Sequence, residues 1–114
     1  MNISVILAHP KKGSFNHAIA KIAIQILKQN SHQVVYHDLY REKFDPILRT
    51  REIVKGGKLD SVIKKHCEEI KNANGIIIVH PNWWDQPPAI LKGWVDRVLR
   101  ENVAYQFTTV DNGE

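Results

Sequence analysis

"HPNWWDQPPAILKGW", residues 80–94, joins an apolar run, "GIIIV", to a segment with helical spacing. Two of the chain's three tryptophans, Trp83 and Trp84, stand in this connection beside a proline pair. Proline suits the first turn of a helix, where no amide hydrogen is needed. A helix is therefore expected to start at Pro88 and to turn Ile90, Leu91, Trp94, Val95, Val98 and Leu99 inward. A short apolar run, a polar loop and an amphipathic helix make one strand–helix unit. The fold depends on whether that unit recurs.

It recurs twice upstream. Residues 3–8, "ISVILA", read as a strand buried on both faces, ending at His9-Pro10. Residues 15–29 follow as a helix, with Ser14 as N-cap and an apolar stripe of Ile19, Ile22, Ala23, Ile26 and Leu27. "NSH" breaks it, and "QVVYHDL" reads as the second strand. Residues 41–58 bend at Pro46 and carry a flexible "KGGK". A helix is expected over 59–72 with Leu59, Val62, Ile63, Cys67 and Ile70 inward, and "IIIVH" gives the third strand. This β-α-β-α-β-α order demands a parallel sheet with helices on both faces. The whole chain, 1–114, reads as one α/β domain, a flavodoxin-like three-layer α/β/α sandwich reduced to about three strands. In that order strands one and three are neighbours, and ligands bind at their carboxyl ends. The two unusual loops, 9–16 and 80–88, leave those ends.

Composition narrows the function. For 114 residues, a hydrophobic share of 43% and a charged share of 25% suit one globular domain. No apolar run reaches the roughly 20 residues of a membrane span, and the start lacks a signal-peptide pattern. The single cysteine, Cys67, excludes an internal disulfide and the usual zinc spacings, so no metal is expected. A reducing cytoplasm is the simplest home, with Cys67 inert on a buried stripe. The net charge of +4 is scattered, without a basic stripe interleaved with aromatics, which argues against nucleic acid. It leaves a surface attractive to small anions.

The first loop, "HPKKGSFN", runs into a helix amino end, where unpaired amides and the dipole favour an anion. Ser14 and Asn16 can add donors, Lys11 or Lys12 charge, and His9 a hydrogen bond. With no GxGxxG or Walker pattern, a plainer reading stays open: Ser14 only caps and His9 only closes a turn. In the second loop Trp83 and Trp84 offer flat faces for a planar heteroaromatic ring, although one of the two is expected to cover the sheet end as core. On the last helix, Lys92, Asp96 and Arg97 are expected as exposed ion pairs, and Trp94 as packing. The histidines at 17, 32, 37 and 66 read as scattered surface or turn residues.

The segments "LAHPKKGSFNHAI", "YHDLYREKFDP" and "HPNWWDQPPAILKGWVDRVLRENVAYQF" resemble the flavodoxin-like NAD(P)H:quinone oxidoreductases, including the bacterial modulator-of-drug-activity and potassium-efflux ancillary proteins. The likeness runs from the first strand to about Phe107. It implies a flavin, FAD or FMN, reduced by NAD(P)H as co-substrate and reoxidised by a quinone in two-electron steps. By the same resemblance His9, Ser14, Phe15 and Asn16 would hold the flavin's phosphate arm. Pro81, Asn82, Trp83 and Trp84 would hold its ring. Trp84 and Tyr105 would line the quinone pocket, and a homodimer, with Trp94 at its interface, is possible. No residue is assigned to catalysis itself, because the redox chemistry belongs to the flavin.

Two departures from the family qualify this. Asp85 stands where relatives carry a small residue; it would either disfavour an anionic reduced flavin or, the preferred reading, cap the next helix. The family also continues past "TTVDNGE" into further strands and a second flavin loop. The alternative function is thus a non-catalytic flavin- or nucleotide-binding regulatory module, or an inactive truncated homologue. A one-electron carrier of flavodoxin type is disfavoured by the basic charge.

Overall fold

The apolar run at the amino end forms β1 (Asn2–Leu7), the middle strand of a three-stranded parallel sheet. The computed structural model describes residues 1–108. After β1 come α1 (Phe15–Gln29), β2 (Gln33–Asp38), the single-turn α2 (Thr50–Ile53), α3 (Ser61–Asn72), β3 (Gly75–Val79) and α4 (Ala89–Val98). The sheet order is β2-β1-β3. Its register places Leu7 between Asp38 and Val79, so all three strands finish at one rim. This is the flavodoxin-like arrangement expected from the alternation of elements.

Alternate residues of β1 feed two separate cores, as the strand's period of two requires. Val5 and Leu7 pack with Ala20 and Val79 under α1. Ile6 and Ala8 pack on the other face with Ile63, Cys67 and Ile70 of α3 and Leu91, Trp94 and Val98 of α4. Trp94 is wholly buried, and its indole N–H donates to His66 Nδ1 at 3.2 Å. Gly93 lies against the chain at Pro46: a Cβ there would sit 2.2 Å from the proline's own Cβ, so only glycine lets α4 approach. Cys67 is buried, and that burial pushes its thiol pKa up.

Several expectations change. The inward stripe of α1 is Ala20, Ile24 and Leu27, with Ala23 half-buried. Ile19, Ile22 and Ile26 join Phe15 on an outward stripe. The helix carries two apolar stripes, and small Ala20 allows the closer approach to the sheet. On α3, Val62 is exposed and His66 is buried in its place. Pro88 is the N-cap of α4, one position before the helix.

Arg97 is not part of an exposed ion-pair ladder. Lys92 and Asp96 do pair on the surface, but Arg97 points inward, buried with Glu52 of α2 at Nε–Oε1 3.0 Å. Its other nitrogens donate to the Asp45 carbonyl at 2.7 Å and to Asp60 at 3.2 Å. This ion pair ties the irregular 41–58 segment to α4. Among the described residues β3 pairs with β1 alone, and Ile76 and Ile78 on it remain partly exposed. Among the described residues no helix is long and apolar enough to cross a membrane.

Candidate functional site

β1 and β3 deliver their loops side by side, joined at the rim by the Ala8 amide donating to the Val79 carbonyl at 3.0 Å. From there the first loop turns sharply. His9 Nδ1 accepts the Lys11 amide at 3.0 Å, which leaves the ring proton on Nε2. Gly13 takes φ +75°, a conformation that glycine adopts without a Cβ penalty. Ser14 then caps α1, its Oγ accepting the His17 amide at 3.2 Å. Among the described residues the amides of Lys12, Gly13, Ser14, Phe15 and Asn16 have no hydrogen-bond acceptor. Five successive free donors at a helix amino end, with Lys11 and Lys12 exposed beside them, make a cradle for an anion.

Arg41, in the turn after β2, holds this loop from behind. Its guanidinium donates to the carbonyls of His9 at 3.2 Å and Pro10 at 2.5 Å, and sits 3.7 Å from Asp38. The "YREK" turn gave no sign of this role in the sequence, because it depends on β2 lying beside β1.

The second loop is a two-residue hairpin. Trp83 and Gln86 exchange both backbone hydrogen bonds at 2.9 Å, and Trp84 and Asp85 between them have φ +54° and +59°. Two successive left-handed residues define a type I′ turn, a shape that usually selects Asn-Gly. Tryptophan and aspartate hold it at a cost in backbone strain. The turn lifts Trp84 to 98% exposure. Trp83 is half-exposed and meets His9 edge-on, ring centroids 6.2 Å apart. The two loops therefore touch. Pro81 is half-buried at the base of the second loop and Asn82 is exposed. Asp85 does not cap α4, since Pro88 occupies that position without any side-chain cap. Neither tryptophan is a core filler; that role belongs to Trp94.

Tyr105 does not reach this mouth. α4 runs alongside α3 away from the rim, and the segment after it comes to rest by Lys71 at α3's carboxyl end. There Lys71 and residues 102–106 line a hollow of about 310 Å³. Half-exposed, Tyr105 packs edge-on against Phe107 at 5.7 Å. Among the described residues Tyr105 shares no hydrogen bond or ring contact with Trp84, and the ten-residue α4, about 15 Å long, lies between their loops.

Three of the histidines passed over in the sequence are organised. His17 lies directly beneath the first loop, with Nδ1 2.7 Å from Ser14 Oγ and Nε2 3.1 Å from Asp38 Oδ2. His37 places one ring nitrogen 2.8 Å from Glu42 and the other 2.6 Å from Glu69. It stacks on His66, centroids 4.0 Å apart. The indole of Trp94 fixes His66 as the tautomer with its proton on Nε2. Burial first, and then the neighbouring His37, push the His66 pKa down to about 4. The unfolded ring takes its proton near 6.5. Between these values only the unfolded state holds the extra proton, so stability falls as pH drops through the window and levels off below it. Urea titrations at pH 7.5, 5.5 and 4.5 should show this decline in the native chain and a shallower one in His66→Gln. Equal slopes would mean that His66 is solvated.

The family model described as "Flavodoxin-like fold" matches residues 1–114. The chain belongs to this flavodoxin-like family, and its relatives include NAD(P)H:quinone oxidoreductases. An uncharacterized NAD(P)H oxidoreductase of Haemophilus influenzae is 40% identical over 117 residues, covering 100% of this chain and 56% of its own length. NAD(P)H dehydrogenase (quinone) 1 of Rattus norvegicus is 31% identical, over 93% of this chain and 46% of its own. Among solved structures, the NAD(P)H:quinone oxidoreductase from Methanothermobacter marburgensis superposes with a TM-score of 0.78 at 32% identity, covering 87% of this chain and 53% of that one. The chain thus spans about half the length of the curated relatives it matches.

Proposed function

We propose that the chain forms the phosphate- and ring-binding half of a flavin-dependent NAD(P)H oxidoreductase that passes two electrons to quinones or related ring acceptors. The observation that carries this reading is the contact between the two loops, His9 against Trp83 at the rim shared by β1 and β3. The donor set fits the group. Free amides from Lys12 to Asn16, with Ser14 and Asn16, suit a phosphate arm, and His9 adds a donor from Nε2. Pro81, Asn82, Trp83 and Trp84 suit the flat ring, and Phe15 contributes its amide to the phosphate arm. When bound, the flavin supplies the electron transfer. The protein's residues bind the anion, orient the ring and keep water from one of its faces. FMN and FAD share this chemistry, and both are probes below. A reducing cytoplasm agrees with a lone thiol held in a core, and a homodimer is part of the proposal.

The test is a visible spectrum of the purified chain after incubation with FMN or FAD. Yellow protein that bleaches with NADPH or NADH and recovers its colour with a quinone supports the proposal. Protein that takes up neither flavin overturns it.

A further inference from the structure

We infer that His17 is a proton-gated positioning residue of the first loop: binding of a phosphate group there draws one proton from solvent onto His17 and frees the Ser14 hydroxyl to face the ligand. The inference rests on the reading of that loop as the flavin's phosphate site.

Hydrogen-bond roles carry it. Ser14 Oγ already accepts the His17 amide. Its remaining contact is His17 Nδ1 at 2.7 Å, while His17 Nε2 meets Asp38 at 3.1 Å. Asp38 accepts from the Arg41 amide at 3.2 Å and faces the Arg41 guanidinium, so it serves as acceptor to the His17 Nε2 proton. With a neutral ring, Nδ1 is then an acceptor, and the Ser14 proton must point at it. Ser14 turns only a lone pair toward the cradle, which repels a phosphate oxygen. If Nδ1 gains a proton, the bond reverses. His17 donates to Ser14 Oγ, and the hydroxyl proton swings outward to donate to the anion. All four sites of the hydroxyl are then satisfied: two bonds accepted, one donated, one covalent. No bond to a heavy atom is made or broken, and nothing is oxidised or reduced. One solvent proton is taken up.

Other charged or titratable groups around His17 are few. His9 lies edge-on at 6.4 Å from the loop side. Lys21 from the next turn of α1 and Tyr36 from β2 line a hollow of about 300 Å³ beside it. The Tyr36 phenol has its pKa raised by burial and then by Asp38 and Glu42. Among the described residues Asp38 is the one carboxylate in direct contact with the ring.

Calorimetric titration with FMN and with FAD, at pH 8 in two buffers of different ionisation enthalpy, counts the protons. At that pH the FMN phosphate, with its second ionisation near about 6, is already a dianion. The expected result is uptake approaching one proton per flavin, with affinity falling up to tenfold per pH unit as pH rises. His17→Gln should fold, bind flavin without uptake and lose the pH slope. Asp38→Asn should reduce the uptake while leaving a hydrogen-bonding side chain in place. Flavin binding with no uptake, or with equal uptake in native and His17→Gln proteins, overturns the inference and leaves the flavin reading standing. No flavin binding by the native chain overturns both.

Discussion

Replacing Arg97 by alanine should lower the stability of the chain by about 3–5 kcal/mol. Arg97 is 2% exposed and its partner Glu52 1%. Glu52 also accepts the Arg49 amide at 2.6 Å, so its position is fixed from two sides. Removing Arg97 leaves a buried carboxylate without its cation and the Asp45 carbonyl without its donor. Burying such a charge uncompensated is costly. Arg97→Lys should recover only part of the loss, because an ammonium cannot reproduce a fork that reaches Glu52, Asp45 and Asp60 together. Replacing the pair with apolar residues, Glu52→Leu with Arg97→Met, should recover most of it. Urea unfolding followed by circular dichroism measures all of these. An Arg97→Ala chain within about 0.5 kcal/mol of native would show that the pair is solvated.

The tryptophans should separate cleanly by substitution. Trp94→Ala removes a side chain with no exposed surface and should cost about 3–5 kcal/mol. Trp84→Ala removes one that stands almost wholly in solvent, and should change stability by less than about 0.5 kcal/mol. Its effect should fall on the ligand instead. Flavin or quinone affinity should drop about tenfold, roughly the worth of one aromatic stack. Equal melting losses for the two variants would place Trp84 in the core, contrary to its exposure.

The fold was legible because it depends on the order of elements: β1 and β3 are short apolar runs bounded by polar loops, and α1, α3 and α4 carry helical periodicity. Both loops of the mouth were legible too, since they follow directly from strand ends. What escaped shares one cause: pairing between residues distant in sequence. Arg97 looks like a surface charge until α2 brings Glu52 to it across 45 positions. His66 looks like a surface residue of α3 until Trp94 and His37 enclose it. His17 reveals itself only when β2 carries Asp38 beneath the first loop. On α1 two apolar stripes compete, and period alone does not say which one meets the sheet. Asp85 misled for a local reason. Aspartate is a common cap, yet here it fills a left-handed turn position that nothing in its neighbours announces. Tyr105 was assigned by resemblance rather than by geometry, and one chain keeps it at the far end.

The middle strand has a further consequence. β1 is a party wall: Val5 and Leu7 belong to the compartment under α1, and Ile6 and Ala8 to the one under α3 and α4. Neither compartment can swell or shrink without pressing on the same plank, residues 2–8, and His9 follows it directly. Substitutions deep on either side, remote from any ligand, can therefore set the gap between the two loops as a wedge behind a hinge sets the opening of a door.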